Sequence, residues 1–172
     1  MTEHAMERAL EAYEQCRFAE AREIWREFAA KGSATAQKWL GVLYENGQGV
    51  EQDFQEALAW YRKAAQLGNP SAQNTLGIFF EKGRGVEKND HEAVEWYKKA
   101  VAQGDSYGKL LLGLMLMEGR GVDQDLKQGM KLIQDAALQG NAEAQNNLAV
   151  FYAQGAGVEQ DWKKAIEWMT KA

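Results

Sequence analysis

The sequence predicts an all-α fold built of five stacked helical hairpins, and three observations carry that reading. A block of 36 residues recurs without insertion or deletion, as Leu40-Gly41, Leu76-Gly77, Leu112-Gly113 and Leu148-Ala149 show. Fifteen of the 17 glycines fall on this period, so they serve turns and close contacts and not a loose chain. A single proline in 172 residues leaves the segments between glycines free to be helical.

The first 32 residues form an atypical hairpin. Leu10, Ala12 and Tyr13 mark its first helix, and Phe18, Ala21 and Trp25 mark its second. Five residues separate Tyr13 from Phe18, where ten separate Tyr44 from Phe54, so this hairpin has a short turn near Gln15 to Arg17. The next unit, 33–68, is the regular one. Ala36, Leu40, Leu43 and Tyr44 make a helical stripe, and Gly47 and Gly49 end it with positive φ. Val50 is the apolar residue of a polar loop and is expected to plug back into the hairpin. Asp53 is placed to cap the second helix, whose apolar face is Phe54, Ala57, Leu58, Tyr61, Ala64 and Ala65; Gly68 stops it. Gly41, Ala57 and Ala64 are small enough to let the two helices approach closely. The same scheme repeats over 69–104, 105–140 and 141–172, the last unit stopping at Ala172 inside its second helix. One hairpin cannot bury both faces alone, so its neighbours complete the core.

The string Ala-Gln-x-x-Leu-Gly-x-x-Tyr-x-x-Gly-x-Gly-Val-x-x-Asp-x-x-x-Ala-x-x-Trp-Tyr-x-x-Ala-Ala-x-x-Gly runs from Ala36 to Gly68 and returns, with changes, from Ala72, Gly108 and Ala144. It resembles the Sel-one-like repeat, a subclass of tetratricopeptide-like α-solenoids. The resemblance covers 33–172 and implies a right-handed superhelix. It also implies a non-catalytic adaptor that holds other proteins together. A cysteine-rich bacterial branch of that family carries a disulfide in each repeat; no unit from 33 to 172 here contains cysteine.

Composition and motifs exclude several functions. A net charge of -5 argues against a nucleic-acid partner. No apolar run is long enough for membrane insertion, and the longest, Leu110 to Met117, is broken by Gly113. The Gly-x-Gly turns lack the Gly-Lys-Ser/Thr of a phosphate loop. His91-Glu92 lacks the second histidine of a zinc motif, since position 95 is Glu95. Cys16, the single cysteine, has no histidine base near it in sequence and reads as a bystander; Trp60, Tyr61, Trp96 and Tyr97 read as packing residues. The expectation is therefore no enzyme, no metal and no cofactor, with a cytoplasmic location drawn from the lone thiol and the lack of a secretory leader.

The residues that break the period point to a partner site. By the resemblance, first helices line the concave surface, and the positions six and three before, and one and four after, the periodic glycine face it. These are Thr35, Lys38, Val42 and Glu45, then Ser71, Asn74, Ile78 and Glu81, then Tyr107, Leu110, Leu114 and Met117, then Glu143, Asn146, Val150 and Ala153. The third set is the most apolar, and Leu111 and Met115 add to it. Tyr107, Leu110, Leu111, Leu114, Met117, Asn74, Ile78, Asn146 and Val150 are thus the candidate contacts for a peptide or helix of a partner protein. Deeper burial of this helix, or self-association, would equally produce its apolar face. A homodimer through the uncapped end, and an inhibitor of a bacterial effector, are the alternative functions.

Overall fold

The computed structural model describes residues 2–172, and among them ten helices and no strand. They are α1 (Thr2–Glu14), α2 (Phe18–Ala30), α3 (Ala34–Asn46), α4 (Phe54–Gln66), α5 (Pro70–Lys82), α6 (Asp90–Ala102), α7 (Ser106–Glu118), α8 (Leu126–Leu138), α9 (Ala142–Gln154) and α10 (Trp162–Met169). The chain divides into two compact units, Met1–Lys88 with α1–α5 and Asn89–Ala172 with α6–α10.

The period is written first into the helix ends. The side chains of Ser33, Asn69, Asp105 and Asn141 cap the first helices of the regular hairpins. Those of Asp53, Asn89, Asp125 and Asp161 cap the second. Asp53 accepts the backbone N–H groups of Gln55 and Glu56 at 2.8 and 3.0 Å, the role its position predicts. Gly47 closes α3 in the left-handed region at φ 66°, and Gly49 continues the turn at φ 70°. The carbonyls at the ends of three first helices are met from the loop: Gln52 donates to Glu45, Gln124 to Met117 and Gln160 to Ala153 at 2.7–2.8 Å.

In Met1–Lys88 the core runs from Ala9 and Ala12 through Ala21 and Trp25 to Ala36, Leu40 and Leu43, with Val50 packed against it as the loop plug. Tyr13 is the hub of an aromatic cluster. Its ring lies 5.4, 5.7 and 5.1 Å from those of Phe18, Trp25 and Trp39, and Trp25 stacks on Trp39. Its hydroxyl donates to Gln48 at 2.8 Å. The short turn falls at residues 15–17, where Cys16 is exposed and holds φ 59°. Two buried glutamines join successive hairpins: Gln37 donates to the Ala29 carbonyl and Gln73 to that of Ala65, at 3.3 and 3.1 Å.

In Asn89–Ala172 the core joins Leu110, Met130, Ile133, Ala136, Ala137, Ala144 and Leu148, and Val158 plugs the last loop. Gln145 repeats the glutamine tie, donating to Ala137 at 3.0 Å. Here α7 and α8 touch through their backbones. A methyl group placed on Gly113 would stand 2.9 Å from the Gly129 carbonyl oxygen, and one on Gly129 would stand 2.7 Å from that of Gly113. Gly129 occupies the position that Ala57, Ala93 and Ala165 hold elsewhere, so the off-period glycine is what permits this closer crossing.

Candidate functional site

The first helices carry the candidate contacts, and burial sorts them. On α7, Tyr107, Leu111, Leu114 and Met117 are each partly exposed. Leu110 is not: it is 0% exposed, packed with Met130, Ile133 and Leu148. Expected as a partner contact, it is a core residue instead. Asn74 requires the same correction, being 3% exposed on α5, while Ile78 is half-buried there. On α9, Asn146 is exposed and Val150 is 45% exposed.

The reason lies in the helical register. The position three before the periodic glycine turns inward in the two middle repeats, as Asn74 and Leu110 show. The position two before it stays partly exposed in every repeat, as Trp39, Thr75, Leu111 and Asn147. The outward stripe thus steps by four, three and four residues: Tyr107, Leu111, Leu114 and Glu118 on α7, and Glu143, Asn147, Val150 and Gln154 on α9. Thr75 and Asn147 belong to it; Thr75 escapes the sequence reading, whereas Asn147 is legible there as a polar residue able to hydrogen-bond a peptide backbone. The signal that places both on the stripe is the same four-then-three step from Thr35 to Trp39 to Val42 in the first regular repeat, where all three are at least partly exposed.

The fourth predicted position does structural work. Glu45 accepts the Tyr61 hydroxyl at 2.7 Å and pairs with Arg84 at 3.0 Å. Burial, and then this hydrogen bond to a carboxylate, pushes the Tyr61 hydroxyl far above its ordinary range. In the third repeat Ile133 replaces the tyrosine and Met117 replaces the glutamate. Met117 lies over Gly129, where an added methyl would stand 2.6 Å from its Cγ. Part of the apolar excess on α7 is therefore a packing exchange. Tyr107 and Leu114, though partly exposed, also pack against the core, and Leu111 is the outward apolar residue that this packing leaves unexplained.

Electrostatics around the first helices are mild. Burial lowers the pKa of Lys38, whose ammonium sits 3.5 Å over the Trp39 ring. Second helices repeat a similar pairing, Lys63 on Trp60, Lys99 on Trp96 and Lys171 on Trp168, at 3.6–4.4 Å. Among the described residues no group of three or more His, Cys, Asp or Glu side chains is placed to hold a metal ion. No helix of the described residues is long and apolar enough to cross a membrane.

Helical hairpins of fixed length, capped alike and tied by equivalent glutamines, define a tetratricopeptide-like α-solenoid. The Sel1 repeat model matches residues 34–69, 70–105, 106–141 and 142–172, and the chain belongs to the Sel1 repeat family. Its structure is similar to that of a Sel1 repeat protein from Oxalobacter formigenes, with 33% identity and a TM-score of 0.82 over 96% of this chain and 69% of that one. It is also similar to c5321, a protective antigen of uropathogenic Escherichia coli with an SLR fold. There the identity is 34% and the TM-score 0.79, over 90% of this chain and 33% of that one. The immunity protein Pa5087 of Pseudomonas aeruginosa shares the fold at 22% identity and a TM-score of 0.66, over 95% of this chain and 64% of that one. No curated protein matches the chain in sequence. Sel1 repeat proteins generally mediate protein–protein interaction, and their solenoid is typically a non-catalytic scaffold.

Proposed function

We propose that this chain is an adaptor that binds a peptide or helix of a partner protein on the outward face of its first helices, which the family resemblance assigns to the concave side. The contacts in Asn89–Ala172 are Tyr107, Leu111 and Leu114 on α7 with Asn146 and Val150 on α9; the equivalent residues of α5 are Thr75 and Ile78. One observation carries the reading. Tyr107 and Leu111 are partly exposed at positions where flanking repeats carry Ser71 and Glu143, and Thr75 and Asn147. Tyr107 also packs against the core, whereas Leu111 lies outside that cluster, so the apolar surface of Leu111 is what supports a partner contact. The proposal places the protein in the cytoplasm, where the exposed thiol of Cys16 stays reduced.

A second reading is self-association, and α10 favours it. Trp162, Ile166 and Met169 are 63%, 62% and 65% exposed and share one helical face. Inhibition of a bacterial effector is the same binding act with a particular partner; the likeness to two Pseudomonas immunity proteins supports it at the level of fold.

A photo-crosslinking residue at position 111, in cells expressing the protein, tests the reading. One discrete adduct with another protein is expected, and Leu111→Ser should cut the affinity for that protein by more than tenfold with little change in the melting temperature. An adduct of twice the chain's own mass would move the function to self-association. No adduct at 107, 111 or 114 would overturn the site.

A further inference from the structure

The fourth loop breaks a packing rule that the other three obey. The second glycine of each earlier loop is pressed onto the first turn of the preceding hairpin's second helix. A methyl on Gly49 would stand 2.7 Å from Cβ of Phe18, and one on Gly85 would stand 2.6 Å from the Phe54 carbonyl oxygen. On Gly121 it would collide with the Asp90 carbonyl. Gly157 has the same local conformation, at φ 73° against 70° for Gly49. Yet no atom of α8 backbone lies within reach of it; the nearest groups are the methyls of Met117 and Met130, at 3.3 and 3.6 Å. The loop has kept its shape and lost its seat.

The lost seat is a cleft of about 670 Å³ between loop residues 157–158 and the first two turns of α8. Leu126, Met130 and Val158 line it, with Lys127, Lys131 and Gln134 on the rim. That volume falls within the range of natural ligand sites, and methionine lets a floor adapt to the shape it meets. The rim is cationic in a way the other repeats are not. Position 131 is Glu95 one repeat earlier and Glu167 one repeat later. Lys127 and Lys131 are one helical turn apart and, among the described residues, no ion pair engages either. The carboxylate of Asp125 at the cleft's edge is already occupied by the Gln128 N–H at 2.8 Å. Glu159 lies beyond Val158, in the neighbouring hollow with Asp161 and Lys164.

We propose that this cleft is a second docking site, for an acidic segment of a partner protein that seats one leucine or phenylalanine side chain between Leu126, Met130 and Val158 and sets flanking carboxylates on Lys127 and Lys131. It uses loop-edge residues and none of the outward first-helix row, so it stands or falls apart from the adaptor face. An apolar anchor supplies affinity, and the two ammonium groups select for acidic flanks.

The full chain labelled with ¹³C at methionine methyls provides the test, since Met130 lines the cleft and the Met117 methyl lies beside Gly157 at its edge. The probes are blocked peptides Asp-Glu-Leu-Asp-Glu, its amide counterpart Asn-Gln-Leu-Asn-Gln, and Asp-Glu-Gly-Asp-Glu. The first should shift the Met130 and Met117 methyl resonances saturably, and the other two should bind at least tenfold more weakly. Lys127→Gln with Lys131→Gln should weaken the first peptide at least tenfold, while Leu111→Ser leaves it unchanged. Equal shifts with all three peptides, no shift with the first, or an undiminished affinity in the double lysine variant would overturn the proposal. So would a nuclear Overhauser contact between Gly157 and the Leu126 backbone, which would mean that the loop is seated as the other three are.

Discussion

Tyr61 and Glu45 show how a single pair decides what a repeat position is for. A buried tyrosine hydroxyl needs an acceptor, and Glu45 supplies it at 2.7 Å while Arg84 balances the carboxylate. Where the tyrosine becomes Ile133, a carboxylate at the glutamate's position would have no donor, and Met117 stands there. The exchange makes a measurable claim. Tyr61→Phe should destabilise the chain by about 1.5–3 kcal/mol, the range for a hydrogen bond to a charged group. Glu45→Gln should cost less, and the double variant little more than the worse single one, so the two residues should couple by about 1 kcal/mol or more. Urea unfolding of the four members of this cycle measures it. Additive losses would mean that the hydroxyl and the carboxylate act separately, and the exchange for Met117 would lose its basis in packing.

At the level of the helix, capping was the most legible feature and the outward stripe the least. Aspartate, asparagine or serine ahead of each regular helix is a local signal, because the cap bond is made within three residues. The face that a first helix shows to solvent is not local. Such a helix is contacted by its own partner and by the hairpins on either side, so its apolar residues form more than one stripe. Leu110 and Leu111 are chemically identical neighbours, and only the packing of Ile133 and Leu148 makes the first of them core. The caps also make a prediction about acid. The Lys164 backbone N–H donates to the Asp161 carboxylate and holds its pKa below the ordinary value. A lowered folded pKa means that the stabilisation is complete above the unfolded carboxylate's range and is lost as pH falls through the folded value, below about pH 4. Amide exchange across α10 should therefore quicken in acid, with pH 3 compared against pH 6 after correction for the intrinsic rate. Asp161→Asn should keep the cap, as Asn69, Asn89 and Asn141 do, and should remove the acid step. An acid step that survives in Asp161→Asn would assign it to another group.

Over the whole chain, the period made the five hairpins legible, because each is specified by its own caps, glycines and alanines. Two features were not legible: the shorter reach between α7 and α8, and the unseated loop at Gly157. Both depend on how one hairpin meets another, and their sequences, Gly129 for alanine and an unaltered Gly-x-Gly-Val, give little notice. That division between local and neighbour terms governs stability as well. In a repeat array the free energy is close to a sum of hairpin terms and nearest-neighbour terms, so damage need not spread evenly. Trp25 is fully buried between Tyr13 and Trp39, at the centre of the aromatic cluster of Met1–Lys88. Trp25→Ala should remove about 3–5 kcal/mol there, through lost burial and the cavity it leaves. The core of Asn89–Ala172, around Ile133, Leu148 and Leu110, contains none of those contacts. Native-state hydrogen exchange should therefore show protection falling by a hundredfold or more in α1–α3, with α7–α9 changed by less than tenfold. An equal fall in both units would show that the chain opens only as a whole, and that its neighbour terms outweigh everything a single hairpin holds.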